Sequence, residues 1–235
     1  MSDQDAVGGS LKHFNFKAED QSRSEEARTL LVSIPEVLEP QYGMYVWPCA
    51  VVLAQYVWHH KGALQQKSVL EIGAGVSLPG VVAGKCGARV ILSDSAELPA
   101  CLENCRRSCE VNGLWDVPVV GLTWGQVSPD LLILPALDII LGSDVFYEPE
   151  DFEDVLVTVF FLLRRNPHAQ FWTTYQERSA DWSIEALLHK WSLQCLHIPL
   201  ESFQANKDCL AGSNLPGSHT VHMIVITMRK QSGDT

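Results

Sequence analysis

Lys67-Ser68-Val69-Leu70-Glu71-Ile72-Gly73-Ala74-Gly75-Val76-Ser77-Leu78-Pro79-Gly80 is the stretch on which the reading of the fold turns. Residues 67–72 read as a strand that ends at two glycines one residue apart, and a helix is expected over 78–86. Only Gly87-Ala88 separate that helix from a second strand, Arg89-Val90-Ile91-Leu92-Ser93, with Asp94 at its end. Strand, glycine turn, helix and strand make a βαβ unit, which points to an α/β protein with a mainly parallel sheet.

The alternation continues on both sides. Upstream, a helix is expected over 48–60 with Pro48 in its first turn. Downstream come a helix over 96–111 closed by Asn112-Gly113, a short strand at 117–122, and the nearly all-apolar run Leu137-Asp138-Ile139-Ile140-Leu141-Gly142. A helix over 150–164, a strand at 170–174, a helix at 180–191 and a last strand at 221–228 complete the pattern. Ahead of it, Leu11-Lys12-His13-Phe14-Asn15-Phe16 and Thr29-Leu30-Leu31-Val32-Ser33-Ile34 alternate and predict an antiparallel hairpin. The expected organisation is a flexible terminus and β-hairpin extension over 1–44, then one domain over 45–235.

The chain has 235 residues, 46% of them hydrophobic and 19% charged. One α/β sheet of this size can bury ~70–75% of its unfolded surface. The formal net charge of −11 disfavours direct nucleic-acid binding, which draws on phosphate neutralisation, and favours a basic partner. No secretory signal and no stretch of membrane-spanning length is visible, and the seven scattered cysteines do not read as a disulfide framework. Reduced thiols in the cytoplasm or nucleus, with no membrane contact, are the expectation.

In a doubly wound sheet the first βα turn is the usual place for a nucleotide-like ligand. Gly73 and Gly75 let the backbone approach a ligand where a Cβ would collide, and Asp94, nineteen residues after Gly75, can accept from a ribose diol. A dinucleotide site wants a third glycine where this chain has Leu78, and a P-loop wants a lysine that is absent.

These residues, with Tyr45-Val46-Trp47-Pro48, Leu78-Pro79-Gly80, Trp124 and Ser143-Asp144-Val145-Phe146-Tyr147, resemble the seven-β-strand, Rossmann-like S-adenosylmethionine-dependent methyltransferases. Within them the similarity is to the methyltransferase-like branch that modifies protein side chains, and it runs over residues 11–229. It implies a seven-stranded sheet with helices on both faces and S-adenosylmethionine as cofactor. Glu71, Gly73 and Gly75 would line its methionine and ribose portions, Asp94 would hold the ribose hydroxyls, and Trp47, Trp124 and Ser143 would border it. In that branch an acid commonly follows the tryptophan-glycine pair; Gln126 follows Gly125 here, so the contact that acid makes is left open.

The Ser143 to Tyr147 segment follows the fourth strand and resembles the branch's Asp-x-x-Tyr motif, whose aspartate and tyrosine lie beside the transfer site. Asp144 and Tyr147 are therefore the expected catalytic residues. Methyl transfer needs a lone pair in line with the S–CH₃ bond at ~3–3.5 Å, so positioning dominates. The competing reading of Asp144 is a cap for the helix near Pro149. Glu148, Glu150, Asp151 and Glu153 are expected to complement a helix N-terminus, and Glu177 and Arg178 to orient substrate or pair with each other. Cys101, Cys105 and Cys109 fall on one helical stripe, which suits core thiols rather than zinc, so no metal is expected. His59-His60 and His219/His222 read as surface or strand residues rather than ligands.

The activity expected is N-methylation of a lysine or arginine on a basic protein, with histones one class and chaperone or chromatin proteins further partners. The alternatives are a small-molecule methyltransferase and a catalytically silent cofactor-binding module on the same fold.

Overall fold

A computed structural model describes residues 9–18, 29–37, 43–178, 184–215 and 220–229 of the chain. A hairpin of β1 (Gly9–Lys17) and β2 (Thr29–Val37) opens it. Then follow α1 (Pro48–His59), β3 (Ser68–Glu71), α2 (Leu78–Lys85), β4 (Arg89–Asp94), α3 (Pro99–Val111), β5 (Val119–Gly121) and α4 (Pro129–Leu132). The second half holds β6 (Ile139–Ser143), α5 (Phe152–Arg165), β7 (Gln170–Gln176), α6 (Glu185–Lys190) and β8 (Leu193–Ile198). A two-residue pair, β9 (Cys209–Leu210) and β10 (Ser213–Asn214), precedes β11 (Val221–Met228).

The main sheet has seven strands in the order β5-β4-β3-β6-β7-β11-β8. The pairs from β5 to β7 are parallel, and β11 runs antiparallel between β7 and β8. The chain fills the sheet outward from β3 through β4 to β5, then crosses back to lay β6 on the other side of β3. The loops leaving β3 and β6 therefore diverge, and a crevice opens between them at the carboxyl ends of the strands.

Successive side chains point to opposite faces and build two cores. Val69, Leu141, Trp172 and Val225 join α1, α2 and α3 on one face; Leu70, Ile140, Phe171 and Ile226 join α5 and α6 on the other. The ten residues from Cys49 to Trp58 of α1 are all buried, as befits a helix covered on every side.

The expected antiparallel hairpin forms, with Phe14 opposite Val32 and Leu11 opposite Pro35. It packs into the main core. Phe14, Phe16, Val32 and Ile34 are fully buried in the same core as α1 and α2. Asn112, at the end of α3, accepts from the Ser33 amide at 3.0 Å and donates to the Ser33 carbonyl at 2.6 Å. Most of the expected flexible terminus, the 19–28 segment, the start of the 180–191 helix and His219 lie outside the described residues.

β8, the edge strand that completes the seven, carries no strand signal in the sequence. Its Gln194, Leu196 and His197 are exposed, so it lacks the continuous apolar run that marks the inner strands.

Candidate active site

The turn after β3 is the floor of the crevice. Gly73 and Gly75 both take left-handed φ, +58° and +52°, a region in which L side chains are strained. A Cβ on Gly75 would stand 3.0 Å from Cα of Gly43, and one on Gly73 would stand 2.9 Å from the Trp124 ring. The immediate demand for glycine is thus the protein's own close packing: the Gly43–Trp47 segment leaving the hairpin crosses directly over the loop.

Around this floor lies a cavity of about 690 Å³, within the ~300–1,000 Å³ range of small-molecule sites. The predicted residues Trp47, Gly73, Gly75, Asp94, Trp124, Ser143, Asp144 and Tyr147 all line it. They come from the hairpin exit, the β3 turn, the end of β4, the turn after β5, and the exit from β6.

Glu71, expected to border the cofactor, is not among the lining residues. Its side chain is fully buried behind the loop, where Oε2 accepts from the Gly80 amide at 2.9 Å and Oε1 has no hydrogen-bond partner. Burial pushes this carboxyl up to about 8, the Gly80 amide opposing the rise and Asp94 adding to it. Strand side chains alternate, so an acid directly preceding Ile72 faces α2 rather than the crevice.

Asp94 ends β4 with Oδ2 accepting from the Gly75 amide at 2.7 Å and Oδ1 from the Ser95 amide at 2.7 Å. It therefore ties β4 to the glycine turn while each oxygen keeps a second lone pair for a ligand. Burial raises its carboxyl above the ordinary range against the pull of both amides.

Asp144 follows β6 in a left-handed conformation, φ +55°, and its amide donates to the Thr174 carbonyl at 2.7 Å. The carboxylate is held by Arg178, Nη2 to Oδ2 at 2.6 Å and Nη1 to Oδ1 at 2.9 Å, with the Gln176 amide at 3.3 Å. These bonds replace the helix-capping role weighed above. Arg178 pairs with Asp144 rather than with its neighbour Glu177, which instead meets His222 Nε2 at 3.2 Å.

Spacing by three along the chain carries Glu148 and Asp151, expected as helix-terminus complements, to the cavity wall together with Asp154, which was not among the expected site residues. Glu153, facing away, pairs with Lys190. Asp154 packs on Gly125, whose φ is +74° and where a Cβ would collide with the Asp154 carboxylate at 2.5 Å. A carboxylate from α5 thus stands beside the turn that in this chain carries Gln126. With Glu97, Asp94 and Asp144, six carboxylates among the described residues line the cavity against one cation, Arg178.

Cys101, Cys105 and Cys109 are buried along α3; burial pushes Cys101 up to about 11, Cys109 up to about 12 and Cys105 higher still, so they stay thiols. Among the described residues no group of His, Cys, Asp and Glu is arranged to hold a metal, and no helix is long and apolar enough to cross a membrane.

The profile of a family described as "Lysine methyltransferase" matches residues 27–185. The chain is 68% identical over 212 residues to the histone-arginine methyltransferase METTL23 of Xenopus laevis, covering 90% of this chain and 91% of that one. It is 66% identical over 189 residues to the protein of the same name from Homo sapiens, covering 80% and 100%. In fold it is similar to the magnesium protoporphyrin IX methyltransferase of Synechocystis PCC 6803 with bound S-adenosylmethionine, at TM-score 0.53 and 15% identity over 78% of this chain and 80% of that one.

The cavity fits that cofactor: its floor is bare backbone, an acid stands at the end of the second parallel strand, and its carboxylates suit a cationic sulfonium. With the family profile over most of the chain and relatives matched over nearly their full length, the chain belongs to the lysine methyltransferase family of S-adenosylmethionine-dependent enzymes.

Proposed function

We propose that the protein methylates an arginine nitrogen on a basic protein, with histones as the acceptor class and chaperone or chromatin proteins as partners, in the cytoplasm or nucleus. The observation that carries this reading is the charge of the cavity, among the described residues six carboxylates against one arginine that is already paired. A relative 68% identical bears the name histone-arginine methyltransferase, which supports the same acceptor.

Bound S-adenosylmethionine supplies a sulfonium-activated methyl carbon, and transfer leaves the thioether and frees one proton from the acceptor nitrogen. Gly73, Gly75, Asp94, Trp47, Trp124 and Ser143 are the residues that would hold the cofactor, with Asp144 and Tyr147 beside the acceptor. Positioning is what these residues contribute, since an oriented nitrogen needs no protein nucleophile. Glu148, Asp151 and Asp154 draw in a cation and orient its N–H groups.

Lysine must first lose a proton, at a cost of about 4–5 kcal/mol at neutral pH, and nearby carboxylates make that loss harder. A guanidinium can keep its charge and donate to paired carboxylates while its proton departs as the new bond forms, so this acidic cavity favours arginine. The test is mass spectrometry of a methyl-depleted proteome incubated with the protein and isotopically labelled cofactor. Label on arginine of basic proteins is expected; label on lysine alone, or on small molecules alone, overturns the reading.

A further inference from the structure

Among the described residues Arg178 is the single cation in the wall of the cavity, and its partner is one of the expected catalytic residues. Asp144 leaves β6 in a conformation that a non-glycine residue rarely adopts, and its amide is bound to the Thr174 carbonyl of β7. Its side chain, 8% exposed, is then gripped by a guanidinium from two residues beyond the end of the same β7. Two parallel N–H donors fix both the position and the plane of the carboxylate, which a single ammonium cannot do.

We propose that Arg178 is a positioning residue for methyl transfer, holding the Asp144 carboxylate in the orientation the acceptor meets. The proposal rests on the protein-acceptor reading above and deepens it. One consequence concerns the acceptor itself. An incoming guanidinium cannot take the face of Asp144 that Arg178 occupies, so it meets the carboxylate at its remaining edge while Glu148, Asp151 and Asp154 supply the uncompensated charge. A second concerns Asp144 variants: truncating the aspartate also removes the carboxylate that Arg178 grips, so part of their defect belongs to Arg178.

The test compares full-length Arg178→Lys and Arg178→Gln with wild type, using core histones and labelled S-adenosylmethionine. Cofactor affinity by calorimetry and the melting temperature should stay near wild type. The kcat should fall at least about tenfold in both variants while KM for histones moves less than about threefold. Lysine should rescue no better than glutamine, because charge without the fork does not orient the carboxylate. In an Asp144→Asn background, Arg178→Gln should add less than about twofold, the signature of two residues acting as one. Should Arg178→Gln alone fold poorly, Arg178→Lys, which keeps the charge and loses the fork, keeps the proposal testable.

A kcat within about twofold of wild type in Arg178→Gln overturns the proposal, as does full rescue by lysine. A lower KM for histones with kcat intact overturns it too, since the arginine would then be a competitor of the acceptor. Wild-type protein that labels no protein at all removes the acceptor reading beneath the proposal, a result distinct from active wild type with active Arg178 variants.

Discussion

Glu71 and Gly80 meet face to face under the start of α2: the Gly80 amide donates to Glu71 Oε2 at 2.9 Å, and a Cβ on Gly80 would collide with that oxygen and with Leu92. Helix and strand pack closely through this glycine, five residues after Gly75. The third glycine of a dinucleotide site has the same packing task at the position of Leu78 here.

The pairing makes stability depend on pH. In the unfolded chain Glu71 ionises near its ordinary value of about 4.5, while in the folded protein burial raises it to about 8. Between those values the folded state keeps a proton that the unfolded state has lost, so stability at this site falls as pH rises and levels off above the folded value. Glu71→Gln removes that slope. Urea unfolding should show the variant gaining on wild type from pH 5 to pH 8, by on the order of 3 kcal/mol. Parallel pH curves would contradict this, and an unchanged cofactor affinity is expected because the side chain lies outside the cavity.

Gly73→Arg should abolish S-adenosylmethionine binding while the protein still folds. The substitution forces a side chain into left-handed backbone at a cost of about 1–2 kcal/mol and drives it against Trp124, a wall of the cavity. Calorimetry on the folded variant decides this, and wild-type affinity would remove the glycine turn from the cofactor site.

Asp94→Ala should weaken the cofactor by roughly 1.5–3 kcal/mol, about 10–150-fold, with little loss of fold. The loss combines ligand contacts with release of the Gly75 amide that Asp94 holds at 2.7 Å. A nicotinamide dinucleotide should give no thermal shift; a shift with it and none with S-adenosylmethionine would reverse the ligand assignment.

Neutralising the wall acids should act on the acceptor rather than on the cofactor. Asp151→Asn and Asp154→Asn are each expected to raise KM for histones by roughly 3–10-fold, with smaller changes in kcat. The effect should shrink as salt shortens the screening length below about 8 Å. Salt-independent variants would mean that these carboxylates do not meet the acceptor.

The sheet and its crevice were legible because the signals are local. Two glycines after an apolar strand, an acid at the end of the next, and a fourth strand apolar at Ile139-Ile140-Leu141 each follow from neighbours in the chain. What escaped was set by distance or by exposure. Arg178 reaches Asp144 across 34 residues because β7 runs to Gln176, two residues past the predicted end. Glu148, Asp151 and Asp154 did carry a signal, a period of three, but it competes with the acids expected at any helix N-terminus. The burial of the Glu71 side chain behind the loop was not legible because a motif names the residue and not the direction of its side chain, which the alternation along β3 decides.

The measurement that bears most directly on the proposed activity is labelled methyl transfer to a histone mixture by wild type, Asp144→Ala and Tyr147→Phe, with methylated residues counted by type. Wild type should label arginine, Asp144→Ala should label almost none while binding S-adenosylmethionine nearly as well, and Tyr147→Phe should retain partial activity because its ring remains. Asp144→Ala that labels histones as well as wild type does, or wild type that labels no protein, would contradict the account.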